Sequence, residues 1–489
     1  MKRTIITLLV AISWLIALQA QGQTSIINTP YPNAVKYLPP PPDTLSMAFA
    51  YDVHRYIVGM SLRDTERGQQ ARSDVGYGLS YVAARMRGCF GLDPSSSKYP
   101  ALRQLMADAM NYVGQACSGP KSYYNRLRPF ARFHDPLFSS ESAASLAGSG
   151  SYPSAHSMMG WAGALVLSEV NPKLQDELFE NGYEYGQSRI IVGAHWQSDV
   201  DAARMMTAAT FARLHANEQY LAMVDHAQQV YDSVTHNVRP SALDQIHPYV
   251  RFLPEMPDST GAAFASDVTL YYQNKQLRQG ERGQQAHADA DMSVDGIIGC
   301  FSSILGTTVN ATRTPVIYDL LTTVVNHARD NCIELQRQHR RTPPYRRLGE
   351  PALSGTTSTE VSCYPSCHAT VGWVAAMVMM DICPTHQNNI LKRGREYGQS
   401  RVIAGTNWQS DVDAGQLLGG MIFANLMSDR ALRNQLTAAR NEFNAVSGLN
   451  AIQATVDDTP AAEFTLDGRC ATTDSRGVIV STNGKKQLR

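Results

Sequence analysis

Hydrophobic residues recur at helical spacing in long stretches of this chain, and clusters of proline, glycine and polar residues separate them. The clearest periodic segments are 101–113, 158–170 and 199–221. We see no run of alternating apolar and polar residues, which is the pattern of half-buried strands, within these repeated regions. The pattern predicts an all-α fold of helical bundles. A short β tail should follow at residues 451–489, where FTLDGRC and RGVIVSTNGKK indicate strands and a turn.

Several segments of the chain occur twice. YPSAH and EYGQSRIIVGAHWQSDVDA in the first half return as YPSCH and EYGQSRVIAGTNWQSDVDA in the second, and ERGQQA is found in both. His156 and Asp199 each lie 212 positions before their counterparts, His368 and Asp411. The chain is therefore a tandem duplication. We predict a first domain at residues 25–235 and a second at 240–450, joined by the linker HNVRPSALDQIHPY.

The N-terminus has the pattern of a secretory signal peptide, which we place at residues 1–22. Lys2 and Arg3 precede an apolar run at residues 5–18, and small residues follow it. The run is shorter than the roughly 20 apolar residues of a membrane-spanning helix, so we expect a periplasmic or secreted protein without a membrane span. The C-terminal tail weakly resembles the sorting segments of type IX secretion cargo, which would place the protein at the cell surface. A plain hairpin is the alternative.

Charge and cysteine content narrow the partners. The 489 residues include 43 basic and 43 acidic side chains, so no overall field attracts nucleic acid or an anionic membrane. The eight cysteines fit an oxidising compartment. Because two pairs occupy matching places in the two copies, we predict the disulfides Cys89–Cys117 and Cys300–Cys332. The sequence leaves a homo-oligomer open.

Residues 151–201 of the first copy contain several groups that could act in catalysis or bind an anion. His195 and Asp199 are four residues apart, so in a helix the carboxylate would lie one turn from the imidazole and fix its protonated nitrogen. Taken alone, this pair is more often a structural histidine and a surface carboxylate. The string PSAH at 153–156 precedes an apolar helical run, so its backbone N–H groups would face an anion at a helix N-terminus.

Three cations accompany these groups. Lys121 and Arg128 lie upstream in KSYYNRLRPF, and Arg189 is six residues before His195. In isolation the upstream pair would be interpreted as a solvated basic loop. Together with a serine hydroxyl, backbone amides and two histidines, the three cations match the needs of phosphoryl transfer, in which catalysis is mostly positioning and charge neutralisation.

The order K-x6-R-P, P-S-x-H, S-R-x5-H-x3-D resembles the signature of the phosphatidic acid phosphatase type 2 and vanadium haloperoxidase superfamily. Further strings, including LRDTERGQQAR and GSYPSAHSMMGWA, are similar to bacterial class A non-specific acid phosphatases over about residues 38–214. The resemblance implies helical bundles and an acid phosphatase that hydrolyses small phosphomonoesters. Vanadate in the same site would instead give a haloperoxidase, which is the alternative activity.

Residue types and resemblance together suggest a mechanism. His195 attacks phosphorus to form a phosphohistidine, Asp199 holds its other nitrogen, and His156 protonates the leaving alcohol. The phosphoryl oxygens bind a second group of residues, namely Lys121, Arg128, Ser154, Ala155 and Arg189. We expect no metal and no cofactor, because the cations supply the charge. Ala155 stands where glycine is usual; its Cβ would disfavour a positive φ, which puts rate and substrate range in question.

The second copy departs from the motif at the nucleophile. It keeps Ser366, His368, Arg401 and Asp411 but has Asn407 in place of His195, and an amide nitrogen has no lone pair for attack. Alignment on the tyrosine puts Thr342 and Gly349 at the positions of Lys121 and Arg128. We therefore predict a second domain that is inactive and packs on the first in place of a second subunit. A retained regulatory anion site is the alternative.

Overall fold

The computed structural model describes residues 28–238, 249–353, 355–356 and 362–447, and the backbone of strands at 463–465, 478–481 and 486–488. The predicted signal peptide and most of the predicted linker lie outside these residues. The chain divides into two units, one up to Arg440 and one from Asn441 onward. Within residues 28–447 the regular elements are helical, which confirms the all-α prediction.

The helices of the first copy follow one another through short loops. In chain order they are α1 Met47–Ser61, α2 Glu66–Ser73, α3 Leu79–Phe90, α4 Pro100–Gln115, α5 Ser118–Tyr124, α6 Pro129–Phe133, α7 Ala143–Ala147, α8 Ala155–Val170, α9 Gln175–Ile191, α10 Gln197–Leu214 and α11 Glu218–Thr235.

The second copy repeats the long core helices and differs in the shorter ones. Its helices are α12 Ala262–Lys275, α13 Glu281–Ala288, α14 Val294–Gly299, α15 Ser302–Leu305, α16 Pro315–Gln338, α17 Pro344–Arg347, α18 Cys367–Ile382, α19 Gln387–Ala404, α20 Gln409–Met427 and α21 Arg430–Ser447.

Helix α8 is the centre of the first bundle. Its sequence is apolar around almost the whole circumference, and every residue from His156 to Val170 is buried. Helices α4, α9 and α10 all contact it. The approach of α9 depends on glycine: a Cβ at Gly160 would lie 2.5 Å from Cδ1 of Tyr185. The central position of α8 places its N-terminal end, which carries the PSAH string, among the neighbouring helices.

The predicted helices agree with the structure with one exception. Segments 101–113 and 158–170 lie inside α4 and α8, but segment 199–221 is not continuous. Helix α10 ends at Leu214, and α11 begins after Asn217, whose side chain accepts a hydrogen bond from the backbone N–H of Tyr220 at 3.0 Å. The break occurs because asparagine is a strong N-cap and starts a new helix.

Helix α10 of the first copy packs against α18 and α20 of the second. At this contact, equivalent residues meet each other. A Cβ at Gly420 would lie 2.8 Å from the Cβ of Ala208, its counterpart in the first copy. The rings of Phe211 and its counterpart Phe423 have centroids 6.4 Å apart. Contact between equivalent residues is typical of an isologous, twofold interface, here formed within one chain.

Charged groups are buried at this contact. Asp381 of α18 accepts hydrogen bonds from Arg440 at 2.9 Å and from Arg213 of α10 at 3.3 Å. Its counterpart in the first copy, Glu169, instead accepts from His215 and Tyr220, both at 2.9 Å. The two copies have therefore diverged at equivalent positions while each keeps a paired carboxylate there.

Neither predicted disulfide is formed in the described part of the chain, where the cysteines are free thiols. The matching positions of the cysteines have another cause, because equivalent thiols in the two copies make equivalent hydrogen bonds to backbone carbonyls. Cys117 and Cys332 donate to the carbonyls of Pro153 and Pro365, at 3.7 and 3.6 Å. Cys89 instead donates to Met86 one turn earlier in its own helix, at 3.1 Å.

The C-terminal unit contains the short β tail that the sequence predicts. Strands β1 Glu463–Thr465, β2 Val478–Ser481 and β3 Lys486–Leu488 form an antiparallel sheet in the order β1-β2-β3. Elsewhere in the described residues, none of the helices combines the length and apolarity required to cross a membrane.

We expect Asp381→Ala to lower the free energy of unfolding by about 3–5 kcal/mol, because it leaves buried Arg213 without its partner. Chemical denaturation of the full chain measures this change. Glu334→Ala is the matched control: it removes an ion pair to Arg337 whose side chains are 46% and 70% exposed. That loss should cost less than about 1 kcal/mol. Equal effects of the two variants would contradict the importance of the buried pair.

Candidate active site

The PSAH string forms the first turn of α8. Ser154 is the N-cap residue, and its Oγ accepts hydrogen bonds from the N–H and the Oγ of Ser157, at 3.3 and 2.9 Å. Its own N–H donates to the carbonyl of Asp199 at 3.0 Å, which joins α8 to the start of α10. Ala155 is the first helical residue and does not have a positive φ. The expected conflict between its Cβ and a positive φ therefore does not arise.

His195 and Asp199 do not share a helix, so the prediction of stacking one turn apart was wrong. Helix α10 begins only at Gln197, after His195. Asp199 lies in the first turn, and its Oδ2 accepts from the backbone N–H of Trp196 at 2.8 Å. The same oxygen lies 3.4 Å from Nδ1 of His195. The carboxylate faces the imidazole because it caps the helix that His195 precedes.

Two residues that the motif analysis missed fix this carboxylate. NH1 of Arg126 donates to Oδ1 of Asp199 at 2.6 Å, and NH2 donates to Asp52 at 2.7 Å. Burial alone would raise the pKa of Asp199, but Arg126 and the other partners outweigh it and bring the pKa to about 2. Asp199 is therefore ionised at any pH at which the protein would work.

Arg128 fixes the tautomer of His195. Its NH1 lies 2.9 Å from Nε2 of His195, and an arginine can only donate, so Nε2 is the acceptor and Nδ1 carries the proton toward Asp199. Burial, with the nearby charge of Arg128, holds the pKa of His195 well below its usual value. The result is a neutral imidazole with its lone pair on Nε2.

The guanidinium of Arg128 is held in place by backbone carbonyls. Its Nε donates to Leu146 at 2.8 Å and its NH1 to Ala194 at 3.0 Å. Burial lowers the pKa of Arg128 to about 10. It is therefore a fixed positive charge beside the unprotonated Nε2 of His195.

Lys121 and Arg189 complete the cationic side of the site. Nζ of Lys121 donates to Gly150 at 2.8 Å, and burial lowers its pKa to about 8. NH2 of Arg189 donates to both oxygens of Glu141, at 2.9 and 2.8 Å. Its Nε and NH1 are buried and have no hydrogen-bond partner among the described residues. Buried donors without partners are costly, and an oxyanion would satisfy them.

His156 lies on the other side of the site. Its Nε2 is 2.7 Å from the carbonyl of Val75, which makes Nε2 the protonated nitrogen. Its ring packs between Tyr77 and Tyr185, at centroid distances of 5.0 and 6.3 Å. Burial, and then the charge of Arg189, hold the pKa of His156 well below its usual value in the ligand-free protein.

Comparison with known proteins agrees with this geometry. Residues 105–222 match the PAP2 superfamily. A non-specific acid phosphatase of Providencia stuartii is 39% identical over 200 residues, which are 41% of this chain and 81% of the relative. One of Salmonella typhimurium is 38% identical over 183 residues, 37% of this chain and 73% of the relative. An acid phosphatase of Zymomonas mobilis is 31% identical over 184 residues, 38% of this chain and 70% of the relative.

The chain belongs to the PAP2 superfamily of acid phosphatases. Its expected activity is thereby confirmed at the level of the enzyme class, a phosphoric monoester hydrolase.

The second copy of this PAP2 protein repeats the scaffold of the site. Arg341 bridges Asp267 and Asp411 as Arg126 bridges Asp52 and Asp199. These bridging arginines are 215 positions apart, whereas the two aspartates that cap the helices are 212 apart. The second copy is therefore three residues shorter between its bridging arginine and its helix cap.

This difference in length corrects our alignment of the cationic segment. Nε1 of Trp408 donates to the carbonyl of Thr342 at 3.0 Å, as Trp196 donates to Leu127 at 2.8 Å. Thr342 is thus the counterpart of Leu127, not of Lys121. The counterparts of Lys121 and Arg128 are Gln336 and Pro343, because the offset of 215 holds here. Both cations are still lost, but to other residues than the tyrosine alignment indicates.

A pocket of about 310 Å³ lies at the corresponding place in the second copy, lined by Pro343, Tyr345, Ser362, Cys363, His368, Arg401, Thr406 and Asn407. Nδ2 of Asn407 donates to the carbonyl of Cys363 at 2.8 Å. Burial raises the pKa of Asp411 to about 6, although Arg341 opposes the shift. Of the three cations in the first copy, the lining of this pocket retains the counterpart of Arg189 alone.

Glu141 is a further residue that the motif analysis missed. It had no signal in the repeat, because its counterpart is Thr356, whose backbone carbonyl accepts from Arg401 at 2.7 Å. Arg126 and Asp52 could have been found, since both recur 215 positions later.

We expect affinity for inorganic phosphate to fall as the pH rises through about 8, because Lys121 then loses its charge. Deprotonation of inorganic phosphate in this range makes the ligand more negative and would favour binding to cations, so it opposes the expected loss of affinity and cannot cause it. Burial raises the pKa of neighbouring Cys117, so its thiol adds no charge. Calorimetric titration should show a loss of up to about tenfold per pH unit.

Lys121→Met is the control for this measurement. It should bind phosphate more weakly at neutral pH and show little change between about pH 7.5 and 9.5. A variant that kept the wild-type slope would assign the pH dependence to another group.

Proposed function

We propose that the first copy hydrolyses phosphomonoesters without a metal ion, through a phosphohistidine at His195. The observation that carries the proposal is the 2.9 Å contact between Arg128 and Nε2 of His195. It requires an unprotonated Nε2, which is the form that attacks phosphorus. The carboxylate of Asp199 on the other side of the ring would stabilise the positive charge that develops on attack.

In the first step the Nε2 lone pair forms a bond to phosphorus, and the bond to the ester oxygen breaks. His156, charged through Nδ1 once the phosphoryl anion has entered, gives its proton to the leaving alcohol. In the second step His156 takes a proton from water, whose oxygen attacks phosphorus, and the bond to Nε2 breaks. The products are the alcohol and inorganic phosphate, and both histidines return to their starting forms.

The cations would bind the non-bridging oxygens throughout. Lys121, Arg128 and Arg189 carry three positive charges, and Ser154 with the N–H groups that begin α8 adds neutral donors. Such a set can neutralise a phosphoryl group without a metal. Among the described residues, no group of three or more histidine, cysteine or carboxylate side chains is placed to hold a metal ion.

The second copy, for which we keep the proposed range of residues 240–450, would not catalyse this reaction. Asn407 replaces the nucleophile, and Gln336 and Pro343 replace two cations. With Arg401 alone, its pocket is a poor phosphate site, which disfavours the regulatory anion site. A structural role beside the catalytic domain at residues 25–235 is the better account.

The protein would act in the periplasm or outside the cell on small phosphomonoesters. The signal peptide pattern at residues 1–22 supports this location, and the tail at 451–489 would add sorting to the cell surface. Arg128 and Arg189 are buried and Lys121 is partly buried, which suits a small anion better than nucleic acid.

We expect His195→Asn to lower kcat/KM for a phosphomonoester by about 10³-fold or more, because no lone pair remains for attack. The fold should tolerate the change, since the second copy carries asparagine at this position in the same scaffold. Asn407→His is the matched control and should leave the rate unchanged. Near-normal turnover by His195→Asn would exclude His195 as the nucleophile.

A second experiment tests the intermediate and the absence of a metal. Rapid quenching in alkaline denaturant during turnover of a ³²P-labelled ester should trap label on the wild-type chain and none on His195→Asn, because the phosphorus–nitrogen bond is labile in acid and stable in alkali, and peptide mapping at alkaline pH should place the label at residue 195. Saturating chelator should leave the rate unchanged. Halide oxidation that requires added vanadate, without ester hydrolysis, would favour the haloperoxidase alternative.

A further inference from the structure

Each copy begins with an arm that is hydrogen-bonded to the loop before its own central helix. We call residues 28–46 the first arm and residues 249–261 the second arm. The hydroxyl of Tyr152 donates to the carbonyl of Pro39 in the first arm at 2.5 Å. In the second copy Tyr364 donates to Pro254 in the second arm at the same distance. Both tyrosines come immediately before the Pro-Ser that starts the central helix.

Each arm is also bonded to the opposite copy. The N–H of Asn33 in the first arm donates to Oδ1 of Asn388 on α19 at 2.7 Å. The N–H groups of Arg251 and Phe252 in the second arm donate to Oδ1 of Asp176 on α9, at 2.8 and 3.0 Å. Asp176 and Asn388 are equivalent residues, 212 positions apart. Each arm is therefore hydrogen-bonded to the equivalent helix of the opposite copy.

The two arms differ in the segments that they contact. The first arm contains a 3-10 turn, Ala34–Lys36, which contacts both α19 of the second copy and α5 of the first. Helix α5 carries Lys121. Tyr124 at the end of α5 packs edge-on against Tyr152, with ring centroids 5.1 Å apart. The first arm thus contacts both segments that bear phosphate ligands, whereas the second arm serves a site that has lost its nucleophile.

A half-buried arginine of the second copy lies near the same two segments of the first copy. Arg395 of α19 interacts electrostatically with Tyr152 and Tyr124 of the first copy. Its equivalent in the first copy is Tyr183, which packs against Phe252 of the second arm at 5.6 Å. Equivalent positions on α19 and α9 thus carry an arginine in the second copy and a tyrosine in the first, and the arginine is the one near Tyr152 of the first copy.

We propose that the second copy positions the active site of the first: α19 holds the first arm, and the first arm sets α5 and the Tyr152–Ser154 segment, hence Lys121 and Ser154. This inference rests on the proposed function of the first copy. Asn388 is a positioning residue in this account, because it acts through the arm and does not touch the phosphoryl group. The account also supplies a role for a copy that has no nucleophile of its own.

The test compares equivalent substitutions in the full chain. Asn388→Ala removes the acceptor for the first arm and should weaken binding of inorganic phosphate and lower kcat for a phosphomonoester, each by about threefold to tenfold. Asp176→Ala removes the equivalent acceptor for the second arm and should change both by less than about twofold. Asn388→Asp keeps an oxygen acceptor and should restore wild-type values.

Thermal unfolding separates positioning from general stability. Because the two acceptors are equivalent and each is partly exposed, both alanine variants should unfold at similar temperatures. Equal losses of phosphate affinity in the two variants, or no loss in Asn388→Ala, would overturn the inference. Phosphate affinity is measured without turnover, so a wild-type chain that binds phosphate but fails to hydrolyse esters would refute the proposed function and leave this comparison decisive.

Discussion

The carboxylate of Asp199 is the interaction on which the rest of the site depends. One oxygen caps α10 through the N–H of Trp196 and faces His195, and the other accepts from Arg126. Its backbone carbonyl also accepts from Ser154, at the start of α8. A single buried residue therefore sets the geometry of two helix ends and faces the imidazole between them, whose tautomer Arg128 fixes. A buried carboxylate would be destabilising without such partners, and Arg126 supplies the opposite charge.

Comparison of the two copies distinguishes the residues that the fold requires from those that only the proposed chemistry requires. In the second copy Asp411 keeps the helix cap and the bridging arginine, although no histidine remains for it to hold. The aspartate is retained because it joins two core helices, which the fold needs whether or not the site is active. Two of the three cations, Lys121 and Arg128, are not kept in the second copy. Gln336, in the place of Lys121, now donates to the carbonyl of Pro365 at 2.8 Å and stabilises the loop as a neutral group.

The close placement of cations in the site of the first copy is electrostatically unfavourable in the absence of a ligand. Three cations lie close together in a buried space, and burial lowers the pKa of two of them. Carbonyl acceptors and Glu141 satisfy part of their donors, but Nε and NH1 of Arg189 stay buried without a partner among the described residues. Such a site is arranged for its anion before the anion arrives, which is how preorganised donors stabilise charge in a reaction. The isologous contact between the copies adds an external support that a lone bundle would lack.

The sequence by itself determined the helical class and predicted the duplication and the candidate catalytic groups, because periodicity, repeated strings and residue chemistry are local properties. It also identified Asn407 at the position of His195 in the second copy, since the repeated string shows this single substitution directly. The tertiary structure decided the rest. Asp199 faces His195 through a helix cap and not along a helix face, because Trp196 ends the loop there. Matching cysteines are free thiols that each donate to a backbone carbonyl, and the true counterparts of Lys121 and Arg128 emerge only from equivalent hydrogen bonds. These facts depend on contacts between residues far apart in the chain, which spacing along a sequence does not encode.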